Sequence, residues 1–391
     1  SQAAAAVRAA PAWDAAGPDR RALCLERAAD LIEANRAALM ALAVREAGKT
    51  IPDALAEVRE AADFCRYYAQ RARLDLVPKP LKGPTGERDE LRFAGRGVFA
   101  CVSPWNFPLA IFTGQVAAAL VAGNAVIAKP AEQTPLIAAA AVRLMHEAGV
   151  PEAVLQLLLG DGATVGAALV ADPRVGGVAF TGSTETAWAI NRALAARNGP
   201  IVPLIAETGG QNAMIVDSTA LPEQVVRDVL TSAFQSAGQR CSALRALFVQ
   251  EEIADRLIDM LSGAMAELRV GDPGLIATDV GPVIDEPARE ALERHAARMR
   301  RDGRLLHQVA VGPDCAHGTF FAPRAFEIDR LDRLEREVFG PILHVIRYAA
   351  GRLDSVIEAV NATGYGLTLG IHSRIDSTVE HIRARLRAGN V

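Results

Sequence analysis

From Val98 onward, short apolar runs alternate with amphipathic stretches: Val98–Val102, Ala125–Ala128, Val154–Leu159 and Gly177–Phe180 are each followed by a helical pattern. A strand reads as a continuous apolar run only where both of its faces are covered, and a parallel neighbour needs a crossover long enough to hold a helix. The alternation therefore predicts βαβ units and a mostly parallel sheet. It resumes after Gly210, with runs near Met214–Val216, Ala246–Val249, Ile342–Tyr348 and Leu367–His372. Two α/β domains are the simplest account. With 391 residues, half of them apolar, the chain can bury a core in each.

Upstream, Arg20 to Gln70 carries Ala28, Leu31, Ile32, Leu39 and Leu42 at three- and four-residue steps, which predicts two long helices punctuated by Gly48. Pro78 to Gly97 holds Pro80, Gly83, Pro84, Gly86, Gly95 and Gly97, so a protruding loop or hairpin is expected there. A net charge of −4 with dispersed basic residues leaves no electrostatic footprint for nucleic acid. The longest apolar stretch, Val116–Ala128, is broken by Gly123 and Asn124 and falls short of the roughly 20 residues a bilayer span requires. No signal-peptide pattern opens the chain, so the cytoplasm is the expected compartment. Cys24, Cys65, Cys101, Cys241 and Cys315 are odd in number and lack metal-site spacing; they read as reduced thiols and call for no metal. The chain begins at Ser1 and stops just after Gly389-Asn390, where another strand would start. It reads as a piece of something longer.

Chemistry concentrates in a few segments. A lone cysteine is most often a small buried hydrophobe. Cys241, however, follows Ser236-Ala237-Gly238-Gln239-Arg240, a small and polar break before the strand at Ala246. A loop thiol at the mouth of a sheet can be reactive where its surroundings favour the thiolate. Cys24 and Cys65 fall on helical patterns and Cys101 in a strand, which fits packing roles. Glu207 ends the run Ile201–Ala206 and leads into Thr208-Gly209-Gly210. A carboxylate at a strand's C-terminal end is placed for general base work, although a solvated charge would look the same. Asn106, within Pro104-Trp105-Asn106-Phe107-Pro108, could cap a helix or present a fixed amide to an oxyanion. Phe180-Thr181-Gly182-Ser183-Thr184 passes from strand through a turn to a helix start, which suits a phosphate. Gly160, Gly162 and Gly166 also follow a strand, but their GxGxxxG spacing is equally that of a tight turn. Lys129 and Glu132 follow the run Ala125–Ala128, where both could reach a ribose.

In this order and spacing, the segments resemble the aldehyde dehydrogenase superfamily from about Ala28 to the last residue. Gly238 to Arg245, Thr278 to Asp285 and Asn361 to Thr368 are similar to the glutamate semialdehyde dehydrogenase domain of the bacterial proline utilisation A family. That domain is joined in one polypeptide to a flavin-dependent proline dehydrogenase. The resemblance implies the aldehyde dehydrogenase fold: a Rossmann-like NAD-binding domain over 1–206, with 78–97 as a protruding oligomerisation hairpin, and an α/β catalytic domain over 207–391. It implies Cys241 as nucleophile, Glu207 as base and Asn106 as oxyanion donor. Trp105, Lys129, Glu132, Gly182, Ser183, Glu337 and Phe339 would hold NAD, and Phe107 and Ser242 would touch substrate. Beyond Val391 the family continues with a strand, a substrate-gripping loop and a tail that packs on a second subunit. The implied reaction is NAD-dependent oxidation of glutamate semialdehyde to glutamate through a thioester. A general or succinate semialdehyde dehydrogenase, and a catalytically silent structural module of the same fold, stay open as alternatives.

Overall fold

Apolar runs too short for helices and too apolar for a solvated face become the strands of two sheets in the computed structural model, which describes residues 2–391. Two compact units result. One runs to Ala47 and again from Ala54 to Thr208; the other holds Gly48–Asp53 and Gly209–Val391.

In the first unit, β1 (Lys79–Leu81) and β2 (Asp89–Leu91) pair antiparallel as the expected hairpin, with Leu81, Leu91 and Phe93 exposed around it. The sheet proper is built from β3 (Val98–Val102), β4 (Ala125–Lys129), β5 (Leu155–Leu157), β6 (Val175–Thr181) and β7 (Leu204–Glu207), all parallel, in the order β5-β4-β3-β6-β7. The chain enters at the middle strand, winds outward to β5, and then returns to the other side of β3 for β6 and β7. That reversal puts the topological switch point at the carboxyl ends of β3 and β6, where α/β sheets bind ligands. Helices Gln2–Ala15, Pro18–Ala34, Arg36–Ala47, Ala110–Val121 and Pro135–Glu147 pack in the core around the sheet. The first long helix expected from the sequence is split at Asn35, whose amide donates to the Leu31 carbonyl at 2.9 Å and ends the turn. Buried Arg21 donates to the Val121 carbonyl at 2.8 Å, setting a cation on the negative end of the Ala110–Val121 helix.

The second unit contains β8 (Ala213–Val216), β9 (Ala246–Gln250), β10 (Arg304–Gln308), β11 (Arg324–Glu327), β12 (Ile342–Tyr348) and β13 (Leu369–His372), in the order β10-β11-β12-β9-β8-β13. Every pairing is parallel except β10 with β11. Those two strands escaped the sequence reading because their residues, RLLHQ and RAFE, carry charge where an apolar run was sought. Arg324 is held by Glu293, and Glu327 by Arg304 and Arg347. Among the described residues, no helix is long and apolar enough to cross a membrane.

Candidate active site

Cys241 stands apart from the other thiols. Cys24, Cys65, Cys101 and Cys315 are buried, whereas Cys241 is half-buried. Burial pushes the Cys65 and Cys101 thiols up to about 12, and it raises those of Cys24 and Cys315 as well. Four of the five thiols are therefore poor nucleophiles near neutral pH.

The loop that presents Cys241 is strained. The Pro222–Phe234 helix gives way to a 3-10 turn over Gln235–Gly238, in which Ser236 (φ 54°), Ala237 (φ 53°) and Gly238 (φ 65°) are consecutively left-handed. For the two residues with side chains, that conformation costs roughly 1–2 kcal/mol each. Gly238 has a further reason to lack a Cβ, which would stand 2.3 Å from the Gly340 carbonyl oxygen. Such strain persists only where its surroundings over-determine it, and here they do. Asp53, buried, accepts from the Ser236 amide at 3.1 Å and from Arg240 at 3.0 Å. Lys49 donates to the Ser236 hydroxyl at 3.3 Å. The Gln239 side chain accepts from the Ile284 amide at 2.9 Å and donates to the Ser236 carbonyl at 3.1 Å. Asn212 donates to the carbonyl of Cys241 at 2.7 Å and to that of Ala243 at 2.9 Å. These bonds explain why Gly48–Asp53 belongs to the second unit: it braces the cysteine loop.

Glu337 and Phe339 lie in an irregular segment between a 3-10 turn at Leu331–Arg333 and β12, both half-buried. Arg245 brings them to the cysteine loop, with its guanidinium 3.2 Å from Glu337 and 5.3 Å from the Phe339 ring centroid. A Cβ on Gly209 would collide with the Glu337 carboxylate, so the Gly-Gly turn lets that carboxylate lie against the backbone. Ser242 is exposed beside Cys241, and its carbonyl accepts from the Thr368 hydroxyl at 3.4 Å.

The remaining candidates stand in the first unit, at the carboxyl ends of its strands. Trp105, Asn106 and Phe107 follow β3; Asn106 is buried while its two neighbours are half-buried. The helix that follows starts at Ala110, with Leu109 rather than Asn106 at its N-cap. Glu57 does the capping instead, accepting from the amides of Leu109 at 3.2 Å and Ala110 at 2.9 Å. The helix-cap explanation for Asn106 is thereby removed. Lys129, the last residue of β4, is buried, with its ammonium 3.0 Å from the Pro130 carbonyl and 3.9 Å from the exposed Glu132 carboxylate. Burial lowers the Lys129 pKa, an effect that Glu132 and Asp161 oppose. Gly182 follows β6, and Ser183 caps the Thr184–Ala195 helix by accepting from the Thr186 amide at 3.2 Å. Glu207 is the final residue of β7; its side chain is exposed, and its carbonyl accepts from the Gly182 amide at 3.1 Å. The Gly162–Gly166 segment is a single π-helical turn and not the tight turn its glycines suggested; its Thr164 amide donates to the Asp161 side chain at 2.6 Å.

Sequence reasoning missed Asp53, Glu57, Asn212 and Arg245 as supports. Asp53 and Glu57 lie in a helix whose period marks them only as polar positions, and a charge buried against loop amides leaves no local pattern. Arg245 ends the Gly238–Arg245 segment, yet nothing in that sequence shows that its side chain turns inward.

A model described as the aldehyde dehydrogenase family matches residues 1–391. The bifunctional protein PutA of Klebsiella aerogenes is 55% identical over 394 residues, covering 99% of this chain and 29% of that protein. The 1-pyrroline-5-carboxylate dehydrogenase of Geobacillus kaustophilus (strain HTA426) is 36% identical across 97% of this chain and 74% of that protein. A crystal structure of bifunctional proline utilization A (PutA) matches with a TM-score of 0.97 at 57% identity, covering 100% of this chain and 40% of that one. The chain thus spans less than a third of its PutA relative.

Proposed function

The chain belongs to the aldehyde dehydrogenase family, and from that premise we propose that it oxidises L-glutamate γ-semialdehyde to L-glutamate with NAD as the electron acceptor. The observation that carries the reading is the Cys241 loop: one half-buried thiol that follows a braced, left-handed turn, in a chain whose other four thiols are buried. The substrate is supported by the names of the relatives, one of which acts on 1-pyrroline-5-carboxylate. Hydrolytic opening of that cyclic imine yields glutamate semialdehyde. A proline dehydrogenase domain in the same parent polypeptide, and self-association through the 78–97 hairpin, belong to the same proposal.

In this mechanism the Cys241 thiolate attacks the aldehyde carbon, and the oxyanion that forms takes a hydrogen bond from the Asn106 amide. NAD, when bound, supplies the acceptor for the hydride that converts this adduct to a thioester. Glu207 takes a proton from water, which opens the thioester and releases the acid. Phe107 and Ser242 are assigned to the substrate. The first unit is proposed as the NAD-binding domain and the second as the catalytic one. The donor set fits a dinucleotide: Lys129 and Glu132 offer a cation and a carboxylate to a ribose diol, while Gly182 and Ser183 open a helix whose first amides suit a phosphate. Trp105, Glu337 and Phe339 are assigned to the rest of the cofactor.

NADH formation from glutamate semialdehyde, compared with propanal and succinate semialdehyde, tests the substrate. The comparison uses this chain and one extended past Val391. A clear preference for glutamate semialdehyde supports the reading, and equal rates in both chains would assign a general aldehyde dehydrogenase. A folded sample that forms no NADH from any of them would make the fold a silent module.

The cofactor choice rests on Glu132. A carboxylate accepts from a ribose 2′-hydroxyl, whereas a 2′-phosphate would meet like charge. Lys129 lies 3.9 Å away and offsets part of that repulsion. The expected preference for NAD over NADP is therefore about ten- to a hundredfold, roughly 1.4–2.8 kcal/mol. Glu132→Gln narrows it. Specificity constants for both cofactors on the two proteins decide: an unchanged ratio in the variant would remove Glu132 from the account.

A further inference from the structure

Arg245 is among the largest fully buried side chains, at 1% exposure, and its bonds converge on one place. It donates to the carbonyls of Gly238 at 2.7 Å, Gly340 at 3.1 Å and Arg240 at 2.9 Å, and it pairs with Glu337 at 3.2 Å. Arg240 is the residue immediately before Cys241. The Arg245 Nε–H has no hydrogen-bond acceptor among the described residues. A buried, unsatisfied donor on a charged group is costly. A clamp needed only to tie three carbonyls together would not require a permanent charge there.

We propose that Arg245 is a positioning residue for the reaction: its buried cation holds Cys241 in the thiolate form while its hydrogen bonds lock the nucleophile's loop to the Glu337–Phe339 segment. The inference rests on Cys241 being the nucleophile. Desolvation disfavours the charge on Arg245, and both Glu337 and Cys241 act electrostatically to favour it; that attraction is mutual, so a cation favoured by a thiolate favours the thiolate in return.

The other charged groups around this loop are already engaged. Arg240 is paired with Asp53, Lys49 is bonded to Ser236, and the Glu337 side chain retains more solvent exposure than Arg245, 15% against 1%, so water screens it more. Behind Arg245, its carbonyl accepts from the ring of His344 at 2.9 Å, and His344 contacts His295 at 2.9 Å. Burial holds those imidazoles down to about 3 and about 4, so both are neutral at pH 7 and add no charge. Arg245 is thus a buried cation whose charge and loop contacts change together.

The test is the pH dependence of iodoacetamide alkylation at Cys241 in the full chain, read by mass spectrometry of its peptide. The proteins are the parent, Arg245→Met, Arg245→Lys and Glu337→Gln, with folding checked by circular dichroism. Arg245→Met should raise the midpoint by about one unit, which is about tenfold less thiolate at any pH well below it. Arg245→Lys should stay near the parent, and Glu337→Gln should move the midpoint down by unmasking the cation. An unmoved midpoint in folded Arg245→Met overturns the proposal. Should that variant fail to fold, Glu337→Gln decides, and a midpoint that stays or rises overturns it equally. Turnover by Cys241→Ala is measured alongside: if it persists, the nucleophile assignment fails, while the midpoints still report separately on Arg245.

Discussion

Cys241→Ala lowers aldehyde oxidation by more than about a hundredfold and leaves NAD affinity within a few-fold of the parent. The size of the loss follows from the route: without the thiol no thioester can form, and a barrier rise of about 2.7 kcal/mol already removes a hundredfold. No other thiol can take over, because Cys24, Cys65, Cys101 and Cys315 are buried and their pKa values are raised by burial. The fold should not suffer. Cys241 is half-buried, and the bonds that hold its loop run from Asp53, Lys49, Asn212, Gln239 and Arg245 to other atoms or to its backbone carbonyl. Initial rates of NADH formation and cofactor titration by fluorescence, on samples of matched thermal midpoint, read both halves of the expectation. Turnover above about a hundredth of the parent's would mean that covalent catalysis runs through another group.

Most of the scaffold was legible in the sequence because its signals are local. The run Val98–Val102 became β3 and Ile342–Tyr348 became β12 at the very residues expected, since apolar residues with both faces covered have few alternatives. The hairpin after Pro78 formed where turn residues cluster. Strands β10 and β11 were missed because their pairing is rewarded by contacts made across the sheet and not by their own composition. For the site, the loop character of Cys241 and the strand-end positions of Lys129 and Glu207 could be read from spacing. The left-handed turn at Ser236 and Ala237 could not, because neither residue type favours that conformation. What imposes it is Asp53, 183 residues earlier in sequence than Ser236. Capping of the Ala110 helix by Glu57, which leaves Asn106 outside the cap, is likewise a contact between distant segments.

Glu207→Gln separates the two halves of the reaction: acylation proceeds, hydrolysis stalls, and one equivalent of NADH appears per enzyme before the rate falls by about 10²–10⁴. Glutamine keeps the shape of the side chain and removes its capacity to accept a proton, so the test addresses basicity and not packing. The position tolerates the change. Glu207 is exposed on the last residue of edge strand β7, and the Gly182 amide donates at 3.1 Å to its backbone carbonyl, which the substitution keeps. A surface substitution of that kind costs within about 0.5 kcal/mol. The attack on the aldehyde requires only the thiolate and an oxyanion donor, neither of which is altered. The acyl group should therefore accumulate on Cys241 and be visible as an added mass on its peptide after acid quench. Stopped-flow absorbance gives the burst, and mass spectrometry gives the adduct. Steady multiple turnovers with no adduct would place the base on a residue other than Glu207. A burst with no adduct at Cys241 would instead move the nucleophile.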